Sequence, residues 1–151
     1  MKPILAAIVA AAVVAALAAK AQERPESASE PAQPSISDIM ARQQERHIKL
    51  WFAGRSGNWP LADYEIDALN GGFADVNDLL GGSTVNDAVG APLAALQKAV
   101  EAKDRAAFMS AFDKLTAGCN SCHHTLDHAF IMIRRPAVLP YSDQSFAAPR
   151  E

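Results

Sequence analysis

Both cysteines of this 151-residue chain, and three of its four histidines, fall within residues 117–130, AGCNSCHHTLDHAF. Cys119, Cys122 and His123 form the pattern C-x-x-C-H. Two thiols three residues apart on a helix sit one turn apart. Each can add to one vinyl group of a porphyrin, and the next residue then offers an imidazole nitrogen to the iron. That is the attachment signature of c-type haem. Two other chemistries use the same residue types. A disulfide across the pair would suit a thioredoxin-type oxidoreductase, but that motif belongs beside a strand–helix–strand pattern, and no such pattern is found. A zinc site from Cys119, Cys122, His124 and His128 has plausible ligands, but it leaves His123 idle.

The elements that must position these residues are read from hydrophobic spacing. Ile36, Met40, Gln43, His47 and Leu50 recur at helical intervals and predict a first helix over about 37–53, capped by Ser37 or Asp38. Two of those five are polar, which is unusual for a stripe that enters a core. After the loop GRSGN, Asn58 caps a second helix with Pro60 in its first turn, carrying Ala62, Ile66, Leu69, Phe73, Val76 and Leu80 on one face. Gly71 and Gly72 weaken its middle by roughly 1 kcal/mol each relative to alanine and mark a kink or a close helix contact. Residues 81–90 read as a connection, and a short third helix starts near Ala91-Pro92 and ends near Lys103. Asp104 caps a fourth helix with Phe108, Phe112, Leu115, Cys119, Cys122 and Leu126 on its inner face, ending near Phe130. The expected fold is all-α, an antiparallel four-helix bundle with the haem between helices near the C-terminal end of helix four.

Residues 1–21 carry Lys2, an apolar run from Ile4 to Ala19, and a final Ala-Lys-Ala, the pattern of a cleavable export signal. An uncleaved anchor is the competing reading, although the run is short for a spanning helix of ~20 residues. Residues 22–36 are rich in Pro, Glu, Ser and Gln and read as a disordered spacer. Residues 37–151 are then one haem domain, with 131–151 a non-helical tail broken by Pro136 and Pro140. Export matters for the cysteines, because an oxidising compartment closes a free pair into a disulfide. The formal charge of −3 argues against a nucleic-acid partner, and no membrane span remains once residues 1–21 are removed.

A Phe-bearing helix leading into C-x-x-C-H near the C-terminus, AAFMSAFDKLTAGCNSCHH over 106–124, resembles cytochrome c′, the four-helix class of c-type cytochromes. The likeness extends more loosely to LQKAVEAKD and to the layout from residue 37. It implies haem on Cys119 and Cys122 with His123 as the proximal ligand, and a homodimer as an option. Two departures stand out. The family often has an aromatic and then a basic residue at the fourth and fifth positions after the second cysteine, where this chain has Leu126 and Asp127. The family also commonly presents an apolar residue to the distal face, where helix one here offers Met40, Gln43 and His47. Both favour six-coordinate iron.

The expected function is a periplasmic monohaem cytochrome, not an enzyme, that shuttles single electrons between periplasmic redox partner proteins. One covalent haem c supplies the iron. His47 is the first candidate for the distal ligand and Met40 the alternative, with Arg134 and Arg135 pairing the haem propionates from a tail, 134–146, that covers the haem end. The alternative function is a five-coordinate haem that binds nitric oxide or carbon monoxide. A haem enzyme such as a peroxidase is more distant.

Overall fold

The first ordered turn is set by a capping box. Ser35 Oγ accepts from the Asp38 N–H, and the Asp38 carboxylate accepts from the Ser35 N–H at 3.1 Å. The two side chains thereby satisfy donors that a helix start leaves free. In the computed structural model, which describes residues 33–150, α1 runs Ile36–Ser56 from that cap. The expected signal sequence over 1–21, and all but the end of the expected spacer over 22–36, lie outside the described residues.

Three further helices follow: α2 (Trp59–Leu80), α3 (Thr84–Glu101) and α4 (Arg105–Thr125). Asn58 and Asp104 cap α2 and α4 through their side chains, as their positions in the sequence predict. Among the described residues there is no strand, and no helix is long and apolar enough to cross a membrane. The chain is a four-helix bundle. Consecutive helices pack side by side, and α1 also meets α4. Its core joins Leu50, Ile66, Leu69, Leu96, Phe108, Phe112 and Leu115, each essentially inaccessible to solvent. Burial of such side chains contributes roughly 1.5–3 kcal/mol each.

Three helix ends differ from expectation: Ser35, not Ser37 or Asp38, caps α1, with Asp38 at the third position of the capping box, and the start of α3 and the end of α4 also move. α3 begins at Thr84, seven residues before Ala91. Gly90 and Pro92 look like punctuation, but Val85 and Val89 continue the buried stripe of Leu93, Leu96 and Val100 upstream. Asn77 Oδ1 accepts from the Val85 N–H at 3.1 Å and anchors the new first turn. Pro92 gives up only one bond, to the Ala88 carbonyl. That carbonyl instead lies against Gly118 of α4, where a β-carbon would overlap it. α4 in turn stops at Thr125, not near Phe130. Asp127 takes a left-handed conformation (φ 60°), which ends the helix although Leu126 keeps the apolar period.

α2 is unbroken through Gly71-Gly72. Gly72 is a close contact, because a β-carbon there would collide with Gln43 of α1, whose Nε2 donates to the Leu69 carbonyl at 2.7 Å. The tail after α4 is non-helical, as expected.

Candidate functional site

Contacts between α1 and α4 fix how the two helices face each other. Near one end Gly54 lies against Phe108, and a β-carbon on the glycine would overlap the ring. Further along, His47 Nε2 and Thr116 Oγ1 are 2.9 Å apart. Numbers fall along α1 as they rise along α4, so the helices are antiparallel. Two turns beyond the His47–Thr116 contact, seven residues on each helix, stand Met40 and His123. That is about 10 Å along the bundle at ~1.5 Å per residue.

Around those two residues the helices part and leave a cavity of about 700 Å³. Ligand pockets are typically about 300–1,000 Å³ and mostly apolar. Here Leu69, Phe73, Val76, Val85, Val89 and Leu115 form the inner wall. Cys119, Cys122 and His123 line it from α4, and Met40, Gln43 and His47 from α1. The residues singled out by the motif and by the polar stripe of helix one therefore share one cavity.

The thiols are not bonded to each other. Cys122 is buried and Cys119 half-buried. Desolvation pushes the Cys119 thiol up to about 12 and that of Cys122 in the same direction, and the neighbouring Cys122 adds to the rise at Cys119. Dithiol oxidoreductases need the opposite, a depressed thiol pKa that supplies thiolate at neutral pH. Nor does the zinc reading gain from the geometry. Among the described residues, no three His, Cys, Asp or Glu side chains converge as a metal site.

His123 is held in one tautomer. Its Nδ1 lies 2.8 Å from the Ile131 carbonyl oxygen, which can only accept, so Nδ1 carries the hydrogen and Nε2 keeps the free lone pair. A ring held through its second nitrogen by a carbonyl is the arrangement that makes histidine an oriented metal ligand. The carbonyl comes from a hook formed where α4 ends. The His128 N–H donates to the His123 carbonyl at 2.7 Å, and the Ile131 N–H to the His128 carbonyl at 2.9 Å. Asn120 then clasps the hook from α4. Its Oδ1 accepts from the Ile133 N–H at 2.7 Å, and its Nδ2 donates to the Ile133 carbonyl at 2.8 Å. Leu126, His128, Ile131 and Ile133 close the cavity on this side. Sequence reading passed over Asn120 and the Ile131 carbonyl. Nothing in helical spacing signals a backbone acceptor eight residues away, and Asn120 stands at a variable position of the motif.

His47 is buried, lies tilted against Phe112 with ring centres 4.4 Å apart, and is hydrogen-bonded to Thr116. Burial depresses its imidazole to about 4, so the ring is neutral at physiological pH. A fourth helix reaching residue 130 would set His123 level with about residue 44, between Met40 and His47, and the preference for His47 then rests on a buried imidazole needing a partner. With α4 ending at Thr125, the register moves by about a turn and brings Met40, half-buried, level with His123. His124 is exposed, and His128 lies at the cavity rim.

The arginines correct a further expectation. Arg135 pairs with Asp113, Nε to Oδ1 at 3.0 Å and Nη2 to Oδ2, and its guanidinium lies 4.5 Å from the Trp51 ring centre. Asp113 is ten residues before His123 on α4, so this arginine is committed nearly three turns from His123. Arg134 is exposed and does not line the cavity. Nor does the tail from 134 to 146 cover the haem end. It runs toward the opposite end of the bundle, where Phe146 is buried against Phe52 and Asn58 Nδ2 donates to the Ala147 carbonyl at 2.9 Å. Only Ile131 and Ile133, just before it, face the cavity.

Comparison with known proteins returns no match among family models, curated proteins or solved structures.

Proposed function

We propose that this chain is an exported monohaem c-type cytochrome of the four-helix kind, holding one haem on Cys119 and Cys122 and carrying single electrons. The observation that carries the reading is the convergence of Cys119, Cys122 and His123 on one wall of an apolar cavity of about 700 Å³, with His123 Nε2 left free by its Nδ1 bond. The group fits the residues present. The cavity is large enough and apolar, the thiols are neutral, and the imidazole tautomer is the ligating one. When bound, the group supplies a one-electron ferric/ferrous couple.

The chain supplies the surroundings. The aliphatic wall excludes water, and a low-dielectric site disfavours the state with the larger net charge. His123 is the proximal ligand. Met40 is the sixth ligand in preference to His47, because it stands two turns closer to His123, while His47 already has a partner in Thr116. A thioether in place of a second imidazole raises the potential. Export rests on residues 1–21, and periplasmic redox proteins are the partners it implies.

Expression in a host with c-type haem attachment tests the reading. Intact mass should show the mature chain, lacking residues 1–21, plus one haem that survives acid–acetone extraction. The reduced spectrum should be six-coordinate low-spin. Met40→Ala should convert it to a five-coordinate form that takes up carbon monoxide, whereas His47→Ala should leave it six-coordinate. A chain purified without covalent haem would overturn the assignment. A five-coordinate wild type would replace the electron carrier with a gas-binding protein.

A further inference from the structure

Apart from short-range bonds at the helix end and within the hook itself, the polar contacts of residues 126–133 run to His123 and Asn120. The hook leaves the helix through the left-handed Asp127 and returns along α4, so that the Ile131 carbonyl meets His123 Nδ1 at 2.8 Å. Within it, only two fixings reach the segment that bears this carbonyl. One is local, the Ile131 N–H to the His128 carbonyl. The other is the double bond from the Asn120 amide to both backbone groups of Ile133. The rest of the hook is poorly anchored. Phe130 and Met132 are about four-fifths exposed, and Ile131 is itself 43% exposed. Apolar burial therefore does little to hold the Ile131 carbonyl in place, and the Asn120 clasp is the contact that ties it to the rigid helix.

We infer that Asn120 is a positioning residue for the proximal ligand: by clasping the Ile133 backbone it holds the Ile131 carbonyl on His123 Nδ1, which fixes the ring tautomer and sets the donor strength of Nε2. This rests on the haem reading above. The side chain is suited to the task. An amide presents one acceptor and one donor side by side, which matches the C=O and N–H of a single extended residue. Its position inside the attachment motif, three residues before His123, puts the clasp one turn below the ring it steadies. A hydrogen bond from Nδ1–H to a carbonyl makes the other ring nitrogen more basic. A more basic ligand favours the ferric state and lowers the potential. Loss of the clasp should therefore raise it.

The test compares the full chain as purified with Asn120→Leu, which keeps side-chain volume and loses both bonds, and with Ser121→Ala, which alters the other variable position of the motif. Nitrogen-15 NMR of His123 reads the tautomer and the solvent exchange of the Nδ1 proton, and it can be recorded whether or not haem is attached. Redox titration reads the potential of the loaded protein. Expected for Asn120→Leu are exchange of the Nδ1 proton at least tenfold faster and an upward shift in potential, with helix content and haem attachment retained. Ser121→Ala should match wild type in both. A variant with wild-type exchange and potential overturns the positioning role while leaving the haem reading intact. Failure of wild type to carry haem overturns that reading, and the NMR comparison then still decides the clasp. Equal shifts in both variants would show a general effect of the motif turn and would also overturn it.

Discussion

The two ends of the α1–α4 interface are built from helices of the same kind and do opposite things. At the Gly54 end the helices close. Gly54 admits the Phe108 ring, and Phe108 packs in turn edge-to-face against Trp59 and tilted against Phe112, with centroids 6.2 and 6.1 Å apart. At the Met40 end the same helices stand apart, the facing residues are aliphatic, sulfur-bearing or polar, and a cavity remains. Residue size at the contact decides which. A glycine opposite an aromatic ring draws two backbones together, and packing at native density then leaves little void. At the other end Met40, Gln43 and His47 of α1 and Cys119, Cys122 and His123 of α4 line a cavity. The closed end is packed around aromatic rings, and the open end keeps a cavity of about 700 Å³.

The largest effect should come from removing what fills the open end. The Cys119→Ser, Cys122→Ser double variant should purify without covalent haem by intact mass. Its midpoint in chemical denaturation should fall well below that of the loaded wild type, since anything bound to the native state alone stabilises it. Equal midpoints would mean that the open end needs no occupant.

Truncation of matched aromatic residues sharpens the contrast. Phe108→Ala at the closed end should cost about 3–5 kcal/mol, because it empties a fully packed site. Phe73→Ala, on the cavity wall, should cost clearly less in the haem-free chain, where one side of the ring already lacks neighbours. Loading the haem should narrow the gap. Equal costs in the haem-free chain would refute the division into a closed and an open end.

His47 sits at the boundary and gives a pH-dependent test. Its folded-state pKa is depressed by burial to about 4, against an ordinary value near 6.5. Between these values the unfolded chain binds a proton that the folded chain refuses, so stability falls as pH drops from about 6.5 and levels off below about 4. The limit is about 3 kcal/mol, at ~1.4 kcal/mol per pKa unit. Urea titrations at pH 7 and pH 4.5 should show this loss in wild type and a smaller one in His47→Gln. Identical pH dependence would show that His47 is not the buried neutral group.

How much of this was legible in the sequence follows from the range of each interaction. The four apolar stripes and the Asn58 and Asp104 caps are local, and they fixed the bundle and most helix limits. The attachment motif is local too, and it marked one wall of the cavity. What escaped was long-range. The start of α3 at Thr84 depends on the Asn77 side chain from the preceding helix, and the end of α4 on a left-handed turn at Asp127 that apolar period does not register. That end, five residues earlier than expected, is why spacing left His47 and Met40 nearly level and did not single out Met40. The path of the tail is decided by Phe146 and Ala147 meeting α1 and the start of α2, some ninety residues away in sequence.

The smallest expected effect separates the tail from the open end. If Arg135 served a haem propionate, its loss would shift the potential. The structure gives it other work, bridging α4 at Asp113 and α1 at Trp51 beside the closed half of the interface. The ion pair is about half exposed on both sides. Such a pair contributes ~0.2–1 kcal/mol, and a partly exposed guanidinium over the buried Trp51 ring about as much again. Arg135→Gln keeps much of the length and loses the charge. It should lower stability by about 1 kcal/mol, with a larger loss at low salt than at high salt, because screening already weakens the wild-type pair at high salt. The haem spectrum and midpoint potential should stay at wild-type values. A shifted potential with unchanged stability would return Arg135 to the open end and would mean that the tail, in the loaded protein, follows a different path.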